Sequence, residues 1–101
     1  MNDKTILITG STDGIGKQAA FELAELGAGV IVHGRNKSKV KEVLREFEQK
    51  TGNDQLDFAI ADLSSLQQIR TMAAEIKRKY NRIDVLINNA GALFDHREET
   101  A

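Results

Sequence analysis

The 101-residue sequence contains no cysteine. It can therefore form no disulfide, no thiolate metal site and no cysteine nucleophile. It also lacks an excess of one charge, since 14 Lys and Arg stand against 15 Asp and Glu, and these charges are spread along the chain rather than massed in blocks. Neither a nucleic acid nor an anionic membrane is implied as a partner.

Long hydrophobic runs are missing as well. No apolar run approaches the roughly 20 residues of a membrane span, and Met1 to Lys4 lead directly into a short strand instead of a signal peptide. We expect a cytoplasmic protein. At this length the chain forms one small domain at most, with modest stability, because small domains bury a smaller share of their surface.

Short β-branched runs alternate with amphipathic helical stretches three times before a fourth short run. Strands are predicted at residues 5–9, 30–33, 58–60 and 85–87. The first run is too apolar for a half-exposed strand, so we expect it to be covered on both faces. The first helix is predicted to follow Gly14 and to stop at Gly27. The second has apolar residues at i, i+3, i+4 and i+7, and residues 51–53 close it.

The third helix is predicted to begin at a capping box. Ser64 stands three residues before Gln67, and apolar residues at helical spacing then continue to about Tyr80. Repeated strand-helix-strand units require right-handed crossovers and a parallel sheet with helices on both faces. The predicted fold class is therefore α/β, a doubly wound parallel sheet.

A glycine-rich turn, Thr9-Gly10-Ser11-Thr12-Asp13-Gly14-Ile15-Gly16, lies between the first strand and the first helix. This is the context in which bare backbone amides meet a pyrophosphate. Gly10 would allow the tight turn out of the strand, Gly14 would let the backbone approach the phosphates, and Gly16 would let the helix pack closely. The alternative is a loop that merely needs glycines.

The turn does not fit the phosphate loop of nucleoside triphosphatases, G-x-x-x-x-G-K-S/T. Gly10 lies six residues before Gly16 rather than five, and Gln18 replaces the hydroxyl residue that would hold magnesium. A nucleoside triphosphatase is therefore not favoured.

Two further motifs follow in order, Asp62-Leu63 after the third strand and Asn88-Asn89-Ala90-Gly91 after the fourth. With the glycine turn, they make the sequence resemble the short-chain dehydrogenase/reductase superfamily. The resemblance covers essentially the whole chain but only the family's cofactor-binding half. It implies a Rossmann-type sheet of order 3-2-1-4, incomplete here. Residues 1–91 would form an NAD(P)-binding half-domain and residues 92–101 a tail leading into a missing C-terminal half.

The resemblance also implies roles for particular residues. Ser11 and Ile15 would be among the donors to the phosphates, and Asp62 would accept a hydrogen bond from the adenine amino group, with Leu63 beside the ring. The floor near the two riboses would be lined by three residues of the fourth-strand motif, Asn89, Ala90 and Gly91. Alternatively, Asp62 is a charge favoured by the dipole of the third helix.

The end of the second strand indicates the cofactor. An acidic residue there usually binds the ribose 2′-hydroxyl of NAD, whereas a nearby Arg accommodates the 2′-phosphate of NADP. Here the residues are Gly34-Arg35-Asn36, with no carboxylate, and a guanidinium can bind phosphate through two donors. NADP(H) is therefore preferred, with NAD(H) as the second candidate. The alternative is that Arg35 is one more solvated cation.

No catalytic constellation is found in the sequence. The family's reaction uses a Tyr as acid/base, a Lys four residues later and a Ser, but the only tyrosine is Tyr80 and it is followed four positions on by Asp84. His33 is interpreted as a packed or hydrogen-bonded imidazole, and His96 belongs to the tail. We predict no catalytic residue, no metal site and no turnover by this chain alone.

Two functions remain open. In the first, the chain is the cofactor-binding part of an NADP(H)-dependent oxidoreductase that transfers hydride between nicotinamide and a carbonyl or alcohol. In the second, it is a freestanding, non-catalytic dinucleotide-binding or structural module. Either way the fourth strand has an uncovered edge, so we expect the chain to self-associate through it or to be only marginally folded.

Overall fold

The structure is a computed structural model that describes residues 4–89. The predicted site residues Ala90 and Gly91 and the tail at 92–101 lie outside the described residues. Strands and helices alternate in the order β1 (Thr5–Ile8), α1 (Gly14–Glu25), β2 (Gly29–Gly34), α2 (Lys37–Thr51), β3 (Leu56–Ile60), α3 (Leu66–Lys79) and β4 (Val85–Ile87).

The strands form one parallel sheet in the order β3-β2-β1-β4. β1 lies between β2 and β4, and its Ile6 stands opposite both Val30 and Val85. Parallel strands need crossover connections. α1 and α2 each connect neighbouring strands, and α3 crosses from β3 at one edge to β4 at the other. The predicted α/β Rossmann-like fold and its strand order are confirmed.

The sheet separates two hydrophobic cores, because successive side chains of a strand point to opposite faces. Ile6 and Ile8 of β1 pack with α1 and α2, where Phe47 is fully buried. Leu7, between them in sequence, belongs to the second core with Met72 of α3. All six residues of β2 are buried. This double coverage explains the uninterrupted apolar run in the sequence.

The start of α3 differs from the prediction. Ser65 is its N-cap, and the Ser65 side chain accepts a hydrogen bond from the Gln68 N–H at 3.2 Å. Ser64 instead donates its N–H and its hydroxyl to Asp62 Oδ1, at 2.9 and 2.7 Å. The predicted capping box of Ser64 and Gln67 is therefore wrong by one residue, because the Asp62 carboxylate binds both donors of Ser64 before the helix begins.

The predicted end of α1 is confirmed. Gly27 follows the helix in a left-handed conformation, with φ of 87°, which glycine adopts without a steric penalty.

None of the helices within residues 4–89 has both the length and the apolar character needed to cross a membrane.

β4 is joined to β1 but poorly covered. The Asp84 carboxylate, just before β4, accepts a hydrogen bond from the Thr5 N–H at 2.8 Å. In the strand itself, Val85 is 43% exposed and Leu86 is 62% exposed. Among the described strands β4 therefore presents the most apolar surface to solvent.

Candidate functional site

A groove of about 310 Å³ lies where the carboxyl ends of β1, β2 and β3 meet. Ligands of open α/β sheets bind at this edge, because the loops that leave parallel strands converge there. The groove is lined by residues of the three loops and of the end of β2: Gly10, Thr12, Asp13, His33, Gly34, Arg35, Ala61, Asp62, Leu63 and Ser64.

Ser11 fastens the glycine turn to β2. Its side chain is fully buried, its N–H donates to the His33 carbonyl at 2.9 Å, and its hydroxyl oxygen accepts from the His33 N–H at 2.8 Å. The predicted role of Ser11 as a donor to the phosphates stays a prediction. Its backbone and hydroxyl groups are engaged by His33 inside the protein and do not face the groove.

The His33 ring, at the end of β2, contacts the loops after β1 and β3. It is 3% exposed, its Nδ1 lies 2.8 Å from the Gly10 nitrogen, and its Nε2 lies 3.0 Å from the Ala61 carbonyl oxygen. Burial lowers the pKa of the ring below its ordinary value of 6.5, because the charged form is poorly solvated there. The prediction of a packed, hydrogen-bonded imidazole is confirmed.

Gly14 and Gly16 serve the turn in different ways. Gly14 has a φ of +58°, and no atom lies within 4 Å of where a Cβ would be, so the space beside it is open. At Gly16 a Cβ would lie 2.6 Å from the Gly10 carbonyl oxygen and 2.5 Å from Asn89 Nδ2. Gly16 therefore permits the close approach of α1 to the loops after β1 and β4.

Asn89 connects the turn to the end of β4. Its Nδ2 donates to the Gly10 carbonyl at 3.0 Å, and the preceding Asn88 accepts a hydrogen bond from the Thr9 hydroxyl at 3.1 Å. Both asparagines thus support the loop after β1. The structure thus brings Asn89 into contact with the glycine turn. Ile15 of the same turn is 82% exposed to solvent.

Two pairs of opposite charges stand at the groove. Arg35, just after β2, faces Asp62, and hydrogen bonds from Ser64 together with the positive charge of Arg35 lower the pKa of the Asp62 carboxyl. Asp13 of the glycine turn forms an ion pair with Lys39 of α2, and both side chains are largely exposed. The groove thus contains the positive charge of Arg35 beside the Asp62 carboxylate, which accepts hydrogen bonds from Ser64.

Tyr80 has a structural contact away from this groove. Its hydroxyl donates to Asp57 Oδ2 at 2.7 Å, in a second groove between β3 and α3. Burial and the neighbouring carboxylate raise the pKa of the phenol above its ordinary value. An acid/base tyrosine needs the opposite shift.

Within residues 4–89, no group of three or more His, Asp or Glu side chains is arranged to hold a metal ion.

Sequence reasoning found part of the groove. Of its lining residues, Gly10, Arg35, Asp62 and Leu63 were predicted as binding residues. The prediction missed a second set, each member of which is adjacent or close in sequence to a predicted residue: Thr12, Asp13, His33, Gly34, Ala61 and Ser64. Their position at the carboxyl ends of predicted parallel strands was the available signal.

Known proteins are similar to this chain in sequence and in fold. The sequence model of the short chain dehydrogenase family matches residues 4–101. Human polyprenol dehydrogenase is 41% identical over 98 residues, which cover 97% of this chain and 30% of that protein. The chain thus spans less than a third of the length of this curated relative.

Two crystal structures show the same arrangement. A short chain dehydrogenase of Escherichia coli CFT073 in complex with NADPH has a TM-score of 0.83 and 39% identity, over 92% of this chain and 39% of that one. A gluconate 5-dehydrogenase of Burkholderia cenocepacia, with NADP and tartrate, has a TM-score of 0.79 and 36% identity, over 90% of this chain and 35% of that one. From its sequence and its fold alike, the chain belongs to the short chain dehydrogenase family.

Proposed function

We propose that the chain binds NADP(H), with NAD(H) as a weaker ligand, in the groove at the ends of β1, β2 and β3. The observation that carries this proposal is the placement of Arg35, which lines the groove directly after β2 and whose positive charge acts on Asp62. A guanidinium binds a phosphate monoester through two charge-assisted hydrogen bonds. The NADPH and NADP held by the two related crystal structures support a nicotinamide dinucleotide as the ligand.

The glycine turn fits the pyrophosphate of such a dinucleotide. α2 and α3 have side-chain caps, from Asn36 and Ser65, but Asp13 at the N-cap of α1 makes no side-chain cap hydrogen bond. The first N–H groups of a helix lack partners within it and attract anions. The open space beside Gly14 supports these amides as a cradle for a phosphate.

Other residues would hold the adenosine. Asp62 and Leu63 line the groove, and we assign them to the adenine ring and its amino group. Asn89 contacts the turn from behind, and we place it with Ala90 and Gly91 at the ribose floor. Ile15 extends from the turn into solvent and its backbone N–H belongs to the first turn of α1. Ser11 would contribute indirectly, because its hydrogen bonds to His33 hold the glycine turn against β2.

The dinucleotide supplies the hydride chemistry when bound, and the chain's own residues bind and orient it. We infer that the chain is the cofactor-binding part of an oxidoreductase acting on a carbonyl or alcohol, with residues 1–91 as its NAD(P)-binding half-domain. Membership in a dehydrogenase family favours this over a freestanding structural module. Because Tyr80 is bound to Asp57, we expect the chain by itself to show no saturable NADPH-dependent reduction of aldehydes or ketones.

Binding measurements with one charge reversal test the proposal. Arg35→Asp should weaken NADP⁺ binding by about tenfold to over a hundredfold, because a charge-assisted contact contributes about 1.5–3 kcal/mol. NAD⁺, which lacks the 2′-phosphate, should be affected much less. Arg70→Asp, at an exposed cation of α3, is the matched control and should leave both affinities unchanged. Equal losses for NADP⁺ and NAD⁺ in Arg35→Asp would remove Arg35 from the 2′-phosphate site.

A further inference from the structure

His33 lines the groove with a ring that is ionisable and almost fully buried. The proposed contacts to the dinucleotide do not use this ring. The ring receives the Gly10 N–H on Nδ1 at 2.8 Å and lies 3.0 Å from the Ala61 carbonyl through Nε2. The His33 backbone binds Ser11 through both its N–H and its carbonyl. One residue of β2 thus fixes the start of the glycine turn and the first residue after β3.

These partners fix where the ring carries its proton. A backbone N–H can only donate, so Nδ1 must be unprotonated to accept from Gly10. A carbonyl can only accept, so Nε2 must carry the hydrogen that it donates to Ala61. The observed arrangement therefore requires neutral His33. A proton added at Nδ1 would place two N–H groups against each other at Gly10.

We propose that neutral His33 is a positioning residue for the glycine turn, and that its protonation weakens the binding of a dinucleotide pyrophosphate. This inference rests on the proposed function for its ligand. Gly10 opens the turn whose later amides form the phosphate cradle, so losing its anchor displaces that cradle. The effect concerns the pyrophosphate, which NAD⁺ and NADP⁺ share.

The charged groups around the ring do not reverse this expectation. Asp13 comes from the loop after β1, Arg35 from the loop after β2 and Asp62 from the loop after β3, and all three line the same groove as His33. Lys39 reaches Asp13 from α2, and Asp62 is held by Ser64. The two carboxylates thus have their own cations or donors, and neither is among the partners of the ring.

The direction of the pH effect follows from burial. The pKa of His33 is lowered below 6.5 in the folded chain, so the ring is neutral and the turn is anchored at neutral pH. As pH falls through the pKa of the ring, binding of a ligand that requires the neutral form weakens, by up to about tenfold per pH unit.

Dissociation constants for NAD⁺ and NADP⁺, measured between pH 5 and 8, compare three chains. In the wild-type chain both dinucleotides should bind more weakly at acid pH. His33→Asn places an amide oxygen near the position of Nδ1 and does not titrate, so its affinity should stay within about threefold of wild type at pH 8 and lose the pH dependence. His33→Phe keeps the ring shape without an acceptor and should bind at least about fivefold more weakly throughout.

The choice of ligand separates His33 from the ligand's own titration. The 2′-phosphate of NADP⁺ has a second pKa of about 6, whereas NAD⁺ has no such group. An acid-side loss seen with NADP⁺ but absent with NAD⁺ would overturn the inference. So would an identical pH profile in wild type and His33→Asn, or wild-type affinity in His33→Phe.

An NMR titration without ligand tests the anchor independently of binding. The Gly10 amide signal should move with pH at the midpoint of the His33 ring in wild type, and stay constant in His33→Asn. If neither dinucleotide binds at any pH, the proposed function fails, while a moving Gly10 signal still supports the anchor. A Gly10 amide that ignores the titration of the His33 ring would overturn it.

Discussion

β2 and β4 flank the same strand, β1, and both are short apolar runs, yet their surroundings differ. All six residues of β2 are buried, whereas Val85 and Leu86 of β4 are exposed. β2 lies between two strands, with α1 and α2 on one face and a residue, Ile31, in the core beneath α3. Burial is therefore set by neighbouring layers and cannot be read from apolar composition alone.

The hydrogen bonds of the glycine turn also differ between the β2 side and the β4 side. The groove lies on the β2 side, where the turn after β1 is bound by Ser11 and His33 through several hydrogen bonds. On the β4 side the turn is held by an exposed bond from Asn89 to Gly10 and by partly buried bonds that Thr9 donates to Asn88 and Ile87, whereas the bonds between Ser11 and His33 are buried. We therefore expect substitutions near β2 to disturb stability and binding far more than substitutions in β4.

The largest difference should appear on truncating an apolar side chain on each side. Phe47 is fully buried and packs edge-on against Phe21 with ring centroids 5.5 Å apart, so Phe47→Ala should lower the free energy of unfolding by about 3–5 kcal/mol. Leu86→Ala should cost less than about 1 kcal/mol, since that side chain is already in water. Urea unfolding of both variants measures the contrast, and comparable losses would contradict it.

A methyl group added at the end of β2 should have the next largest effect. In Gly34→Ala the new Cβ would lie 2.8 Å from Val40 Cγ2 and 2.9 Å from Thr12 Cγ2, and such overpacking costs about 1–3 kcal/mol. Gly52→Ala is the matched control, because no atom lies within 4 Å of its Cβ and only its positive φ adds strain. Thermal unfolding should rank Gly34→Ala as the more damaging, and the reverse order would refute the packing argument.

The junction of β1 and β4 should contribute a smaller, pH-dependent effect. The hydrogen bond from the Thr5 N–H lowers the pKa of Asp84 below its ordinary 3.8. A depressed carboxyl pKa stabilises the fold above the unfolded value, and this stabilisation is lost as pH falls through the folded value. Asp84→Asn should therefore show a shallower loss of stability between pH 5 and 2 than wild type. Asp54→Asn, at an exposed site, should keep the wild-type slope.

The smallest effect on stability should come from a charge on β4, although its effect on association should be clear. Self-association through this strand remains a prediction. Leu86→Lys should leave unfolding within about 0.5 kcal/mol of wild type but reduce any concentration-dependent association seen by sedimentation. Leu66→Lys is a close control, because Leu66 is 61% exposed at the start of α3 and Leu86 is 62% exposed in β4. Equal effects of the two changes would argue against β4 as the contact.

The sequence carried enough information for the elements and their order. Continuous apolar runs predict buried parallel strands, and the residues after those strands had to meet at one edge. Arg35 was predicted as a cofactor residue from the end of the second strand and Asp62 from the family resemblance, and the structure brings both to the groove.

Contacts between distant side chains could not be predicted in the same way. The bonds of the His33 ring join residues 23 and 28 positions apart, and their partners depend on the depth of each loop in the folded chain. The choice of Ser65 over Ser64 as the cap was also inaccessible, since it depends on which hydroxyl the Asp62 carboxylate reaches. Both serines are suitable caps, and the local hydrogen bonds from Ser64 to Asp62 leave Ser65 as the N-cap.

The spacing of contacts along the chain also has a consequence for the order of folding. Gly10 meets His33 across 23 residues, but Thr5 meets Asp84 only across 79. Closing the longer loop costs about 1 kcal/mol more conformational entropy, so we expect β1 to pair with β2 first and β4 to join a sheet that already exists. A substitution in β4 would then raise the unfolding rate and leave the refolding rate unchanged. The groove at the ends of β1, β2 and β3 would be assembled before β4 joins the sheet.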